Sequence, residues 1–241
     1  MSNSLIFNTE TLLMAPDKPL ASHYTNALKQ FIHQHYRVKH GSQLEETILG
    51  VGKAGELYIF YDKSQKIIGF TRIGYQFVHH KGKSVVVYYG GTYHDKRIDL
   101  FFDAARCGLT AVMKYKLAHP EQEMIYLANA DTPEKYQFLA SLSSTIYPKE
   151  EIRIPQSVLG LVTNWKKHNS LTSTTAHPML IDNPIALRHV PPVHQNNPCT
   201  SYYLSLNPDY ALGNSLLVYV PLNLVNISQG IKRLLMHCTP A

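Results

Sequence analysis

Residues 84 to 109, SVVVYYGGTYHDKRIDLFFDAARCGL, crowd several chemistry-bearing residues into one short stretch. Gly90 and Gly91 interrupt a β-branched and aromatic run, Val85 to Tyr89, and His94, Lys96 and Arg97 then open an apolar helical run. The free N–H groups of a helix N-terminus suit an anion. Two cations at that same end oppose the helix dipole, and a bound anion would offset the mismatch. Two readings of the turn stay open. In one, the glycines serve a bulge or strand exit and the cations sit in a solvated first turn. In the other, the glycines admit a ligand beside the backbone and the cations hold its phosphate.

Spacing argues against other chemistries. Among 13 histidines, His33 and His35 fall on different faces of a helix, and no His-x-x-x-His occurs, so no metal is expected. No Gly-x-Ser-x-Gly elbow is present. Cys107, Cys199 and Cys238 form an odd, widely spaced set that suits neither a disulfide framework nor a zinc site. A reducing, cytoplasmic setting is the expectation. The N-terminus lacks the basic-then-apolar order of a secretory signal, and no apolar run is long enough to span a membrane.

The elements that must hold these residues are legible from periodicity. Residues 19 to 36 place Tyr24, Leu28, Phe31 and Ile32 near one helical face, with Ser22 as N-cap. Residues 41 to 55 read as loop. Strands follow at 56–62, 66–80 and 84–89, joined by turns at Lys63-Ser64-Gln65 and Lys81-Gly82-Lys83, which makes an antiparallel meander. A helix over 97–117, a strand over 123–130 and a helix begun by Thr132 and Pro133 add a parallel β-α-β pair. Further along, residues 155 to 169 read as a helix and residues 170 to 200 as irregular. Residues 201 to 220 read as a strand hairpin, and about 223 to 237 as a closing helix. The expected fold class is α/β (α+β), a mixed sheet with a C-terminal elaboration.

The bulk numbers fit that picture. Hydrophobic residues make up 44% and charged residues 17% of 241, the balance of a globular chain. The net charge of +6 comes from scattered pairs such as Lys166-Lys167 and Lys232-Arg233. That balance leaves a basic, nucleic-acid-facing protein as an alternative, but no nucleic-acid motif accompanies it.

The element order resembles the GNAT superfamily of acyl-CoA-dependent N-acyltransferases over about residues 56 to 142. The division it implies is a GNAT-like core at 1–145. An extension at 146–241 would then supply a helix, an irregular segment, a hairpin completing the sheet and a last helix. Two motifs carry the resemblance. Arg97 stands at the first position of the family's pyrophosphate loop, although Leu100 and Phe102 replace its small residues and Asp99 lies between them. Asn129 and Tyr136 have the seven-residue spacing of the family's asparagine and its thiolate-protonating tyrosine. The resemblance implies acyl-CoA as co-substrate, an amine of a small molecule or protein as acceptor, and direct attack of that amine on the thioester. It implies donor contacts from Tyr88, Tyr89, Gly90, Lys96, Arg97, Ile98 and Asn129, with Tyr136 as general acid. For the general base, Tyr88, His94 and Glu123 lie near the right elements, and His94 has the intrinsic pKa best suited to the task. Loss of the loop glycines leaves a second reading, a catalytically degenerate binding module on the same fold.

Overall fold

The computed structural model describes residues 6–95, 97–171, 177–190 and 197–238. In chain order the elements are β1 (Asn8–Met14), α1 (Ser22–His35), β2 (Tyr36–Val38), β3 (Gly55–Tyr61), β4 (Ile67–His80), β5 (Lys83–His94) and α2 (Phe101–Ala118). Then come β6 (Glu123–Ala130), α3 (Pro133–Leu142), α4 (Gln156–His168), β7 (Leu180–Asp182), β8 (Ile185–Leu187), α5 (Pro198–Leu206), β9 (Asn214–Pro221) and α6 (Leu224–Cys238).

One sheet of seven strands, ordered β1-β3-β4-β5-β6-β9-β7, organises the molecule, and β2 pairs with β8 apart from it. The meander β3-β4-β5 is antiparallel, while β5 and β6 run parallel with α2 as their crossover. This is the mixed sheet that the order of elements predicts. Side chains alternate across β5, so one strand feeds two layers. Val86 and Tyr88 pack with Ala111 and Val112 of α2 and Ile227 of α6. Val85, Val87 and Tyr89 pack with Val158, Leu161 and Trp165 of α4. A third cluster gathers Leu28, Phe31 and Ile32 of α1 against Leu57, Ile59 and Phe70.

Several expectations are corrected. The strand at 84–89 does not stop at the glycines; β5 continues to His94, with Gly90 opposite Ile73 and Gly91 opposite Arg72. A Cβ on Gly90 would overlap the carbonyl oxygen of Arg72, so close backbone approach within the sheet demands glycine there. The helix begins at Phe101 instead of 97. Residues 201 to 206 belong to α5, not to a strand. Asn197 accepts a hydrogen bond from the Cys199 N–H at 2.9 Å and Pro198 takes the first helical position, a helix start that outweighs the aromatic content. The last strand pair is therefore β9 with β7 and β6, not a hairpin. Ser22 is the first residue of α1, whose cap is Ala21. The segment read as loop carries a π-helical turn, Leu44–Leu49, because Leu44, Ile48 and Leu49 are buried against α1 and β3. Residues 8–14 add an edge strand on β3.

Candidate active site

The parallel pairing of β5 and β6 ends at Gly90 opposite Ala128. Beyond that point β5 stays with β4 through Thr92 and His94, whereas Asn129 and Ala130 stay with β9. The two strands part and leave a gap in the middle of the sheet. Carbonyl groups past the gap are met by side chains: Lys135 Nζ donates to Thr92 O at 3.4 Å, and Tyr203 Oη donates to Ala130 O at 3.0 Å. Two cavities meet this gap from opposite faces, and Gly90 and Asn129 line both.

The first cavity, about 120 Å³, lies on the α2 and α6 side. Ala104, Gly108, Tyr88, Phe138, Leu139 and Val220 give it a mostly apolar wall, and Lys135 supplies its ammonium group. Lys135 is held by Asp131 at 3.0 Å, four residues back, so its charge is positioned at the start of α3 beside the gap. The small residues of α2 keep the cavity open. A Cβ on Gly108 would meet only Ile73 Cδ1 at 3.8 Å.

The second cavity, about 50 Å³, lies on the α4 side and is the more polar of the two, with Arg72, Asn129, Asn169 and Lys53 among its lining residues. Arg72 is 4% exposed and forms no ion pair with any described residue. Its guanidinium group lies 3.4 Å from Tyr89 Oη and 5.0 Å from the centre of that ring. Gly50, at φ +71° after the π-helical turn, and Gly74 clear the path for this side chain. A Cβ on Gly74 would lie 2.8 Å from a guanidinium nitrogen, and one on Gly50 would overlap the group outright. The Trp165 indole nitrogen and Asn129 Oδ1 are buried without a hydrogen-bond partner among the described residues. Each such group costs about 1–3 kcal/mol if it stays unpaired. At the rim, Glu46 pairs with Lys53 at 3.1 Å.

The residues expected at the site scatter around this gap. Gly90 and Asn129 line both cavities, Tyr88 the apolar one and Tyr89 the polar one. Burial raises the Tyr88 phenol well above its ordinary pKa, with Tyr115 and Tyr75 adding to the rise. Glu123 sits at the opposite end of β6, beside Val85. His94 is buried at the end of β5, with Nδ1 3.0 Å from Asp95 O and its ring edge-on to Phe101, and it lines neither cavity. Tyr136 is also away from both. Its hydroxyl donates to Pro148 O at 3.1 Å, its ring packs near Tyr202 and Tyr203, and burial is the largest cause of its raised pKa.

Lys96 lies outside the described residues. Around it, the loop uses its own carboxylates. Asp95 accepts from the Arg97 N–H at 3.0 Å and from Arg97 Nε at 3.0 Å, and Asp99 accepts from the Phe101 N–H at 2.9 Å. Arg97 is mostly exposed, and its contact holds the Asp95 carboxyl down to about 2. Ile98 is half-buried against the α2 side of the sheet, and Leu100 turns its side chain inward over Gly69. Two N–H groups that an anion at this turn would use are therefore already occupied.

A mixed sheet whose parallel strands part over two opposed cavities decides the architecture. The fold is a mixed α/β sheet. Neither a family model nor a curated protein sequence matches the chain. Among solved structures, it is similar to a tyrosine-to-phenylalanine variant of the AtaT toxin bound to the C-terminus of the antitoxin AtaR and acetyl-CoA. That match has 12% identity and TM-score 0.31, and covers 56% of this chain and 83% of that one. It is similar to a protein provisionally named a phosphinothricin N-acetyltransferase, at 9% identity and TM-score 0.32, over 61% of this chain and 90% of that one. A provisionally named acetyltransferase from Sphaerobacter thermophilus DSM 20745 has 11% identity and TM-score 0.29, covering 91% and 98% of the two chains. Likenesses this distant carry no argument about chemistry, which has to come from the geometry of the site itself.

Sequence reading missed Arg72, Lys135 and Trp165. Arg72 interrupts the apolar strand β4, and a cation in a buried strand was the available signal. Lys135 and Trp165 sit in helices whose patterns say nothing about a gap between distant strands.

Proposed function

We propose that the protein transfers an acyl group from a thioester donor, acyl-CoA, to an amine across the gap between β5 and β6. The observation that carries this reading is the pair of opposed cavities sharing Gly90 and Asn129. An apolar cavity suits the acyl group and slender arm of a thioester, and a polar one suits an amine acceptor. The two reactants would then meet only at the gap, where the neutral amine nitrogen attacks the thioester carbonyl carbon. The carbon–sulfur bond breaks, the amine loses one proton, and the thiolate gains one to leave as thiol. Holding both reactants in one geometry supplies much of the acceleration.

In this reading Lys135 stabilises the leaving sulfur, since its ammonium group lines the donor cavity beside the gap. Tyr136 would have to give up Pro148 O to reach that place. The donor's phosphates gain little from residues 95–101, whose N–H groups at Arg97 and Phe101 are taken by Asp95 and Asp99. That same observation favours a second reading, in which the cavities bind ligands without turnover.

The test is thiol release from acetyl-CoA and longer acyl-CoAs with a panel of small amines. Turnover that falls about 10²-fold in Lys135→Met and less than about threefold in Tyr136→Phe supports the acyltransferase reading. The reverse ranking restores Tyr136 as the acid. Saturable acyl-CoA binding with no thiol release from any donor establishes the binding module.

A further inference from the structure

The polar cavity holds more unpaired hydrogen-bonding capacity than a site for a bare amine needs. Arg72 is buried and in no ion pair among the described residues; Lys166, equally buried and likewise without a carboxylate, donates to Pro178 O at 2.8 Å and Leu180 O at 3.0 Å, whereas Arg72 has only Tyr89 Oη at 3.4 Å. A buried guanidinium group is a fork of donors matched to a carboxylate. Its placement is built, because Gly50 and Gly74 leave the space it fills and Tyr89 lies under it.

Two more groups in the same wall await partners of definite kinds. The Trp165 indole nitrogen can only donate, and Asn129 Oδ1 can only accept. The orientation of Asn129 follows from a chain of bonds: its Nδ2 donates to Asn183 Oδ1 at 3.3 Å, and Asn183 in turn donates to the Ser215 hydroxyl. The oxygen is thus left facing a ligand that brings an N–H. Donors at Arg72 and Trp165 together with an acceptor at Asn129 describe a ligand with a carboxylate at one end and an amine at the other. The amine end falls at the gap, because Asn129 lines both cavities.

From this we infer that the acceptor is a small amino acid, its carboxylate held by Arg72 and the Trp165 N–H and its amine by Asn129 Oδ1. This rests on the acyltransferase reading for what then happens to the amine, but not for binding. Arg72 on β4 and Asn129 on β6 flank β5, so their backbones stand about 10 Å apart. Two side chains reaching over one cavity of about 50 Å³ from that spacing leave room for an amine and a carboxylate only a few bonds apart. A peptide chain or a polyamine does not fit that description.

Trp165 is the single tryptophan of the chain, so intrinsic tryptophan fluorescence reports on this cavity alone. The experiment titrates the wild-type protein, without any acyl donor and at constant ionic strength, with the free amino acids, β-alanine and γ-aminobutyrate, and with the carboxamide of each. At least one amino acid is expected to shift the emission saturably and at least about tenfold more tightly than its carboxamide. Arg72→Met is expected to remove that preference, and Arg72→Lys to keep part of it. Equal affinities for acid and carboxamide, or no response to any acid, overturn the inference, and this comparison needs only the wild-type protein should Arg72→Met fail to fold. Thiol release from acetyl-CoA is measured separately. Carboxylate-selective binding without release would remove the acyltransferase reading and leave this recognition standing.

Discussion

The cavities on the two sides of the sheet share a pair of residues and little else. On the α2 side, small residues (Ala104, Gly108 and Ala128) hold open an apolar space that has one cation, already paired. On the α4 side, large residues (Arg72, Tyr89 and Trp165) enclose a smaller space in which polar groups are left without partners. The contrast follows from alternation along the strands: Tyr88 and Tyr89, or Ala128 and Leu127, are neighbours in the chain but serve different spaces. A sheet that is continuous would keep those spaces apart. The parting of β5 from β6 after Gly90 is what brings the two cavities to one point.

The contrast can be broken most severely at the shared point. Gly90→Val drives a side chain into the Arg72 carbonyl and is expected to cost about 3 kcal/mol or more, disturbing both cavities together. Urea unfolding measures the loss. A normal midpoint would mean that β4 and β5 yield more readily than their pairing implies.

Filling one side alone should separate the two functions. Gly108→Phe places a ring in the apolar cavity and is expected to weaken acyl-CoA binding about 10²-fold, while the fluorescence of Trp165 still responds to its ligand. Gly108→Ala is the control, since its methyl group meets only Ile73 Cδ1 at 3.8 Å and replaces a glycine within a helix. It should raise stability by up to about 1 kcal/mol. Loss of both ligands in Gly108→Phe would show that the cavities do not act independently.

The smallest effect lies outside both cavities, in the turn before α2. Asp95 titrates near 2 in the folded protein, against an ordinary 3.8, chiefly because Arg97 hydrogen-bonds to it. A depressed carboxyl pKa stabilises the fold above pH 3.8, and the contribution is lost as pH falls from there towards 2. Because the partner is mostly exposed, solvent screening reduces the gain to on the order of 0.5–1 kcal/mol. Asp95→Asn should therefore lower stability at neutral pH by that amount and flatten the acid limb between those values. An unchanged acid limb would assign the loss of stability at low pH to other carboxylates.

The legibility of each feature in the sequence tracks the range of the interactions behind it. The meander, the parallel pair and the Thr132 cap were visible because alternation, turn residues and capping act within a few positions, and Thr132 does accept from the Lys135 N–H. Gly90 and Asn129 were visible as candidates, but not what they do. The glycine answers to the backbone of β4, and the asparagine to Asn183, 54 residues away. Residues 201–206 show local signals in conflict, where aromatic content suggested strand and the Asn197-Pro198 start made a helix.

By itself, then, the sequence determined the order and kind of most elements and the mixed sheet they form. Only the tertiary structure decided which residues face one another across the gap. It drew Tyr136 into a bond with Pro148, turned the carboxylates of Asp95 and Asp99 onto their own loop, and left Arg72 buried beside Tyr89 with no ion pair among the described residues. The physical reason is that a side chain's role is set by whichever groups lie within a few ångströms of its polar atoms. For Arg72 those groups come from the turn at Gly50 and from β5, and no periodicity within the chain encodes that meeting.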